Sequence, residues 1–247
     1  MSIQTVFLDA GGVLVNPNWT RVSETLARHG VDVAAAALAS AEPHAKRRID
    51  TGETIKATSD QQRGWTYFNF VLTQAGVALS DATVAALGEL HLYHQEFNLW
   101  ESVPDEVRPS LAALRARGLQ LVVVSNANGA LHRAFDRLGL TGEFDVIFDS
   151  HVEGVEKPDP RFFQIALARS GAHAETTMHV GDLYHVDVAG ARAAAITPAL
   201  LDTANLYPEC DCLRVRSLTA LVEALDGLRA SNTKFTAYEE TRNTRKH

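Results

Sequence analysis

Four short segments carry the side chains that could do chemistry. The first, VFLDAGGVL, places Asp9 directly after an apolar run and just before Gly11 and Gly12. A carboxylate in such a position can be a nucleophile, a metal ligand or simply the residue that forms the turn. This segment alone leaves all three roles open.

Two further segments offer groups that could hold an anion. Ser125 follows a run of valines and precedes Asn126, so its hydroxyl and the next backbone N–H groups could bind phosphate-like oxygens. The alternative role for Ser125 is that of a helix N-cap. Lys157 lies in the segment GVEKPDP, where it could bind an anion or remain a solvated loop lysine.

The fourth segment, GDLYHVD, contains two carboxylates, Asp182 and Asp187. One or two carboxylates, completed by water and phosphate, are typical ligands of Mg²⁺ in proteins. A capping aspartate followed by a helical aspartate would give the same pattern. The segment therefore allows a metal site without requiring one.

The elements that must position these groups alternate between short apolar runs and helical stretches. Strands that alternate with helices predict an α/β fold with a doubly wound, Rossmann-like parallel sheet. Ligands of such sheets bind at the carboxyl ends of the strands, so we expect Asp9, Ser125 and Asp182 to meet in one crevice. The predicted strands are Thr5–Leu8, Leu119–Val124, Val146–Phe148, Thr177–Val180 and Thr197–Leu201.

The chain is predicted to contain one core with one large insertion. Residues 1–16 and 100–228 form the predicted α/β core, 17–99 a helical cap, and 229–247 a polar C-terminal tail. The insertion is rich in alanine and leucine with helical spacing, and Ser80 is a candidate N-cap. The predicted cap helices are Trp19–His29, Val33–Ile49, Ser59–Ala75 and Asp81–Phe97, and the predicted core helices are Glu106–Arg117, Ala130–Leu138, Arg161–Ser170 and Val186–Ala195.

Composition excludes several classes of protein. The 247 residues are 46% hydrophobic and 21% charged, as in an ordinary soluble globular chain. A net charge of −7 disfavours binding to nucleic acid or to an anionic membrane. No apolar run reaches the ~18 residues of a transmembrane helix and no export signal is visible, so we expect a cytoplasmic protein. Cys210 and Cys212 are expected to be reduced thiols.

Taken together and in this order, the segments VFLDAGGVL, VVVSNA, EKPDPRFF and HVGDLYHVD resemble the haloacid dehalogenase-like hydrolase superfamily. The four segments extend from Thr5 to Asp187, and the later segments GARAAAITPALLD and LYPECDCLRVRSLTALVEAL are also similar to the end of that fold, so the resemblance covers nearly the whole chain except the tail. It implies a phosphatase in which Asp9 attacks phosphorus and forms an aspartyl phosphate that water then cleaves. It also implies a Mg²⁺ cofactor held by Asp9, the backbone carbonyl of Gly11 and Asp182, with Asp187 as an additional carboxylate.

The same resemblance implies the groups that hold the small phosphorylated substrate. Ser125 and Lys157 would bind the transferring phosphoryl oxygens, and Asn126, Gly11 and Gly12 would line the same site. A lysine beside the metal supplies positive charge where negative charge accumulates during phosphoryl transfer.

One position departs from the phosphatase pattern. Most phosphatases of the superfamily have a second aspartate two residues after the nucleophile as general acid and base, and this chain has Gly11 there. Such a group contributes roughly 10²- to 10⁴-fold to the rate, so we expect either slow turnover or a preference for acyl, anomeric or aryl phosphates, whose leaving groups need little protonation. A cap residue could replace the acid, the candidates being His44, Lys46, Arg47 and Arg48.

Three alternatives remain open. A haloacid dehalogenase also lacks the second aspartate but needs no metal, and Asp182 with Asp187 argues against it. A phosphonatase would require a cap lysine such as Lys46 or Lys56 to form a Schiff base. A catalytically weak phosphate- or partner-binding protein is favoured by Gly11. Both a monomer and a homodimer are compatible with the sequence.

Several other residues have structural explanations. His179 is expected to be a hydrogen-bonded histidine of the sheet, and Tyr184 and His185 are expected at the rim of the crevice. A dense aromatic stretch of the cap is expected to form core packing first and substrate contacts second. Its members are Trp65, Tyr67, Phe68 and Phe70.

Overall fold

A computed structural model describes residues 2–227 of the chain. Eight strands are present in this range, and they form one six-stranded sheet and one two-stranded ribbon. The strands are β1 (Thr5–Leu8), β2 (Asn16–Pro17), β3 (Trp100–Ser102), β4 (Gln120–Ser125), β5 (Val146–Asp149), β6 (Thr177–Gly181), β7 (Thr197–Leu201) and β8 (Leu213–Val215).

Ten α-helices are bounded within the same range. They are α1 (Trp19–Arg28), α2 (Ala35–Ile49), α3 (Gly52–Ala57), α4 (Asp60–Gln74), α5 (Asp81–Phe97), α6 (Val107–Ala116), α7 (Leu131–Leu138), α8 (Ser150–Glu153), α9 (Pro160–Ser170) and α10 (Ala189–Ala193). A π-helical turn covers Tyr184–Val188, and residues 218–227 are helical. None of the helices between residues 2 and 227 combines the length and apolar character needed to cross a lipid bilayer.

The large sheet has the order β5-β4-β1-β6-β7-β8, and every neighbouring pair is parallel. Strand β1 lies in the middle, where Leu8 pairs with Val123 of β4 and with Val180 of β6. The carboxyl ends of these three strands therefore lie side by side. This confirms the predicted doubly wound α/β sheet.

The two faces of the sheet are covered separately, as side-chain alternation along a strand requires. Val6 and Leu8 of β1 pack into one buried cluster with Leu111 and Phe135. Phe7 points to the opposite face. All four residues of β1 are buried, which explains why this strand is a continuous apolar run in the sequence.

The insertion between β2 and β3 is entirely helical and forms α1 to α5. It has its own apolar cluster, in which Tyr67 and Phe68 are buried as the sequence predicted. Ser59 and Ser80 begin α4 and α5 with capping boxes, which confirms the predicted cap at Ser80. The antiparallel ribbon of β2 and β3 lies where the chain enters and leaves the insertion, so we propose the domain division at residues 17 and 99.

The structure differs from the sequence prediction in a few places. Helix α3, helix α8 and strand β8 were not predicted, because each is too short to give a clear periodic pattern. The predicted helix Val186–Ala195 is a π-helical turn followed by α10. Cys210 and Cys212 are free thiols, as expected. The predicted tail, 229–247, and residue 228 lie outside the described residues.

Candidate active site

Three carboxylates meet at the carboxyl edge of the sheet. Asp9 follows β1, Asp182 follows β6 and Asp187 lies in the π-helical turn, and one carboxylate oxygen from each lies within 4.8 Å of the others. Glycines permit this approach: a Cβ on Gly12 would lie 2.0 Å from Asp182 Oδ2, and a Cβ on Gly181 would lie 2.0 Å from Asp187 Cγ. Any larger residue at either glycine would force the carboxylates apart.

The predicted cation Lys157 lies inside this cluster and is fully buried. Its Nζ atom is 2.7 Å from Asp187 Oδ1 and 3.0 Å from Asp9 Oδ1. Burial opposes the charge of Lys157, but Asp187 and Asp9 outweigh this effect and raise the pKa of the ammonium above its usual value. Lys157 is therefore a fixed positive charge beside Asp9.

His179 of β6 forms a hydrogen bond with Asp187. The ring is fully buried, and its Nε2 lies 2.9 Å from Asp187 Oδ1. Burial lowers the pKa of His179, so the ring is neutral and donates its Nε2–H to the carboxylate. The expectation of a fully hydrogen-bonded histidine is only half correct, because Nδ1 has no partner among the described residues.

The electrostatics of the three carboxylates differ. Burial would raise the pKa of Asp187, but Lys157 and His179 outweigh it and lower that pKa. Burial raises the pKa of Asp9, with Lys157 acting in the opposite direction. Burial also raises the pKa of Asp182 to about 7, and the nearby negative charges of Asp9 and Asp187 add to this increase. A cation that binds all three carboxylates would remove this repulsion.

These donors fit a hard divalent cation. Carboxylate oxygens are the ligands that Mg²⁺ prefers, and Mg²⁺ usually combines few carboxylates with water and phosphate. The cluster of Asp9, Asp182 and Asp187 supplies such oxygens within a few ångströms of one another. The residues present are therefore consistent with a Mg²⁺ site.

A lysine of the cap reaches the same cluster. Lys46 of α2 places its Nζ 2.7 Å from Asp182 Oδ2 and 2.8 Å from Glu42 Oε1. Glu42 is buried and also accepts hydrogen bonds from Trp19 Nε1 at 3.2 Å and Tyr67 Oη at 2.9 Å. The cap thus places the ammonium group of Lys46 against a carboxylate of the core.

The four cap candidates for the missing acid are now distinguished by position. Lys46 alone of these four contacts the described carboxylate cluster, while Arg47 pairs with Glu209 and Arg48 lies 4.1 Å from the ring centroid of Phe70. The fourth candidate, a histidine at residue 44, is exposed on α2. Although burial opposes the charge of Lys46, its carboxylate partners outweigh burial and raise its pKa. Lys46 is therefore a charged hydrogen-bond donor and a poor proton donor near neutral pH.

We expect the Lys46→Met substitution to destabilise the protein by about 2 kcal/mol, because it leaves two buried carboxylates without their shared cation. The free energy of unfolding in urea measures this effect without metal. Lys56→Met is the matched control, since Lys56 is exposed on α3. Equal unfolding free energies for the two variants would contradict the structural role of the ion pair.

Ser125 and Asn126, both in the second predicted segment, contact different partners. Ser125 is buried and lowers the pKa of Asp9 against the effect of burial, while its Oγ donates to Asn126 O at 3.4 Å. The Asn126 side chain instead bonds the backbone of Lys157, accepting from its N at 2.8 Å and donating to its O at 3.0 Å. The side chain of Asn126 therefore positions Lys157, and its contact with a substrate stays a prediction.

The two glycines of the first turn make different contacts. Gly12 has a φ of +76°, and its N–H donates to Val15 O at 2.8 Å. The amide of Gly12 is thus already engaged, and its observed role is to allow close approach of Asp182. Gly11 faces the cavity beside Trp100: a Cβ at Gly11 would lie 3.3 Å from Trp100 Nε1. Trp100 therefore borders the space that the side chain of the usual second aspartate would occupy at position 11.

Sequence reasoning missed two buried aspartates that hold the site together. Asp50 of the cap accepts hydrogen bonds from the backbone N–H groups of Tyr184 at 2.6 Å and His185 at 2.9 Å. Asp149 accepts from Gly129 N at 3.2 Å and so fixes the loop after β4. No local pattern distinguishes these aspartates from ordinary capping residues, because their partners are distant in the sequence or in an irregular loop.

A cavity of about 660 Å³ lies between the cap and the carboxyl edge of the sheet. Gly11, Ser125 and Asn126 form part of its wall on the core side, and residues of α4 and α5 form the cap side. The cavity therefore joins Gly11, Ser125 and Asn126 to a space large enough for the rest of a small substrate.

The chain is similar to known proteins in both sequence and fold. The chain is 33% identical over 170 residues to haloacid dehalogenase-like hydrolase domain-containing protein 3 of Bos taurus, covering 66% of each chain. The matched part of the chain therefore spans just under two thirds of the bovine protein's length. The chain is also 30% identical over 159 residues to a glyceraldehyde 3-phosphate phosphatase of Methanothermobacter thermautotrophicus, covering 63% of this chain and 69% of that protein.

A solved structure shares the fold over nearly the whole chain. The hydrolase YfnB of Bacillus subtilis, solved with bound magnesium, superposes with a TM-score of 0.65 at 17% identity and covers 91% of this chain and 99% of its own. The family pattern for haloacid dehalogenase-like hydrolases matches residues 3–195. This match covers most of the chain and includes all four segments of the site, so the protein belongs to the haloacid dehalogenase-like hydrolase family.

Proposed function

We propose that the protein is a Mg²⁺-dependent phosphohydrolase that acts on a small phosphorylated metabolite through an aspartyl-phosphate intermediate on Asp9. The observation that carries the proposal is the meeting of three carboxylates and Lys157 at one strand edge, with Lys157 Nζ 3.0 Å from Asp9 Oδ1. The phosphatase activity of the archaeal relative gives it further support.

The first step assigned to Asp9 is attack on phosphorus. A bond forms between an Asp9 carboxylate oxygen and phosphorus, and the bond to the leaving-group oxygen breaks with its electron pair. Lys157 and Ser125 hold the phosphoryl oxygens in this proposal, because preorganised donors stabilise the charge that develops on them. Lys157 is suited to this role since its charge is buried and fixed.

The second step returns Asp9 to its free form. Water forms a new bond to phosphorus, the bond to Asp9 breaks, and inorganic phosphate is released with the proton passing to solvent. Asp182, Asp187 and the Gly11 carbonyl are the proposed Mg²⁺ ligands besides Asp9. When bound, Mg²⁺ supplies positive charge that lets one anion approach another.

The glycine at position 11 shapes the choice of substrate. No carboxylate at this position can protonate the leaving group, so we propose substrates whose leaving groups are weakly basic, such as acyl, anomeric or aryl phosphates. A phosphate-binding protein with little turnover is the second candidate, and it is favoured by the same glycine. We further propose a cytoplasmic protein without nucleic-acid or membrane partners, either a monomer or a homodimer.

The test is hydrolysis of 4-nitrophenyl phosphate in the presence and absence of metal. We expect phosphate release with Mg²⁺, a fall of at least about 100-fold after EDTA treatment, and recovery when Mg²⁺ is restored. A rate that is indifferent to EDTA would count against the proposal. Chloride release from 2-chloropropionate without metal would instead favour the dehalogenase alternative, and no turnover of either compound would favour the binding protein.

A further inference from the structure

The lining of the cavity next to Gly11 limits which leaving groups the site can accept, and this inference rests on the proposed function. The cavity holds about 660 Å³ and extends from Gly11 and Ser125 toward the cap. The phosphoryl group would lie at the core end, close to Asp9. The remaining space is therefore available to the part of the substrate that departs.

The charge of the wall limits what can fill this space. Among the described residues that line the cavity there is no lysine and no arginine. Asp60 and Glu156 both line it, and Glu156 accepts a hydrogen bond from the backbone N–H of Asp60 at 3.1 Å. The two lysines nearest the catalytic carboxylates, Lys46 and Lys157, are already paired with them. A second phosphate or a carboxylate on the substrate would thus find no lysine or arginine in the described cavity wall and would lie near two carboxylates.

The apolar part of the wall is aromatic. Trp100 lies beside Gly11, with Nε1 3.3 Å from the position of a Cβ there. Its ring is held by Phe68 at a centroid distance of 5.9 Å and by His94 at 5.5 Å, both edge to face. Because both neighbours also line the cavity, the tryptophan presents a fixed surface next to the phosphoryl site.

His94, one of three histidines that line the cavity, is packed against Trp100 and adds no positive charge there. His94 accepts a hydrogen bond at Nδ1 from the backbone N–H of Leu99 at 3.1 Å, and Nε2 lies 3.4 Å from the side-chain nitrogen of Asn128. Burial lowers the pKa of His94, and the positive field of His91 lowers it further. The ring of His94 beside Trp100 is therefore neutral and polarisable at neutral pH.

We propose that the cavity takes an uncharged leaving group that carries an aromatic ring, and that Trp100 is the residue that selects it. A ring packed on the tryptophan gains aromatic contact area beside the bond that breaks. An aryl oxide is also a weakly basic leaving group, which departs with the P–O electron pair and takes its proton from solvent. An aryl phosphate therefore suits a site in which Gly11 offers no side chain to protonate the leaving group.

The first test compares three phosphates with wild-type protein in Mg²⁺. 4-Chlorophenyl and 4-carboxyphenyl phosphate release phenols of similar acidity but different charge, and acetyl phosphate has a good leaving group without a ring. We expect kcat/KM to be at least about tenfold higher for the chlorophenyl ester than for the carboxyphenyl ester. Equal or reversed preference overturns the inference alone, whereas no hydrolysis of any of the three overturns the proposed function as well.

The second test replaces the tryptophan. Trp100→Leu is expected to raise KM for 4-chlorophenyl phosphate about tenfold while changing kcat/KM for acetyl phosphate by less than about threefold. Trp100→Phe, which keeps a ring, should recover most of the loss. Circular dichroism and urea unfolding check that both variants fold. Equal losses on the aryl and acetyl substrates would indicate a purely structural tryptophan and overturn its role in selection.

Discussion

The Asp9→Asn substitution is expected to lower kcat for Mg²⁺-dependent hydrolysis of an aryl phosphate by about 10⁴-fold or more, because the amide is not a nucleophile. Asp9 is the carboxylate that directly follows the central strand, and Lys157 Nζ lies 3.0 Å from its Oδ1. Steady-state phosphate release measures the loss. Rapid acid quench with labelled phosphoryl substrate should trap label on wild-type protein and none on the variant.

The fold of this variant is expected to survive. Asparagine has nearly the same size, and its side-chain oxygen can keep the hydrogen bond from the backbone N–H of Ala10, which is 2.8 Å from Asp9 Oδ1. Burial raises the pKa of Asp9, so a neutral group is tolerated there at modest cost. Asp32→Asn is the control, since Asp32 is exposed in the cap. Retention of more than a tenth of the wild-type rate by Asp9→Asn would contradict the assignment of the nucleophile.

The position of Asp9 was predictable because its signals are local. A short buried strand ending in a glycine turn places a carboxylate at the strand tip, and the parallel order of the sheet brings the other tips beside it. The observed pairing of Leu8 with Val123 and Val180 is the result of that topology. The same reasoning located the segments of Ser125 and Asp182. Local patterns therefore predicted the core of the site.

The contribution of the cap was not predictable in the same way. The sequence offered Lys46 beside two arginines on one helix, and which of them faces the core depends on how α2 packs against the rest of the protein. Glu42, one turn earlier on α2, forms a 2.8 Å ion pair that orients Lys46 toward the core. Trp100 was missed for the same reason, because its proximity to Gly11 joins residues 89 positions apart.

The Lys157→Met substitution is expected to reduce both activity and stability. Lys157 is fully buried and contacts two carboxylates, so its loss leaves Asp187 and Asp9 without their cation. We expect the free energy of unfolding in urea to fall by about 3–5 kcal/mol. We expect kcat to fall about 10²- to 10³-fold, because a preorganised positive charge beside the phosphoryl group is removed. Lys56→Met again serves as the exposed control.

A second substitution separates the two effects. In Lys157→Met/Asp187→Asn the unpaired buried charge at 187 is also neutralised, and the amide can still accept the hydrogen bond from His179 Nε2, which lies 2.9 Å from Asp187 Oδ1. Most of the lost unfolding free energy should return, because an uncompensated charge is the main source of the destabilisation. Activity should stay low, since the cation beside Asp9 is still missing. A double variant that is no more stable than Lys157→Met would show that lost packing, rather than the buried charge, causes the instability.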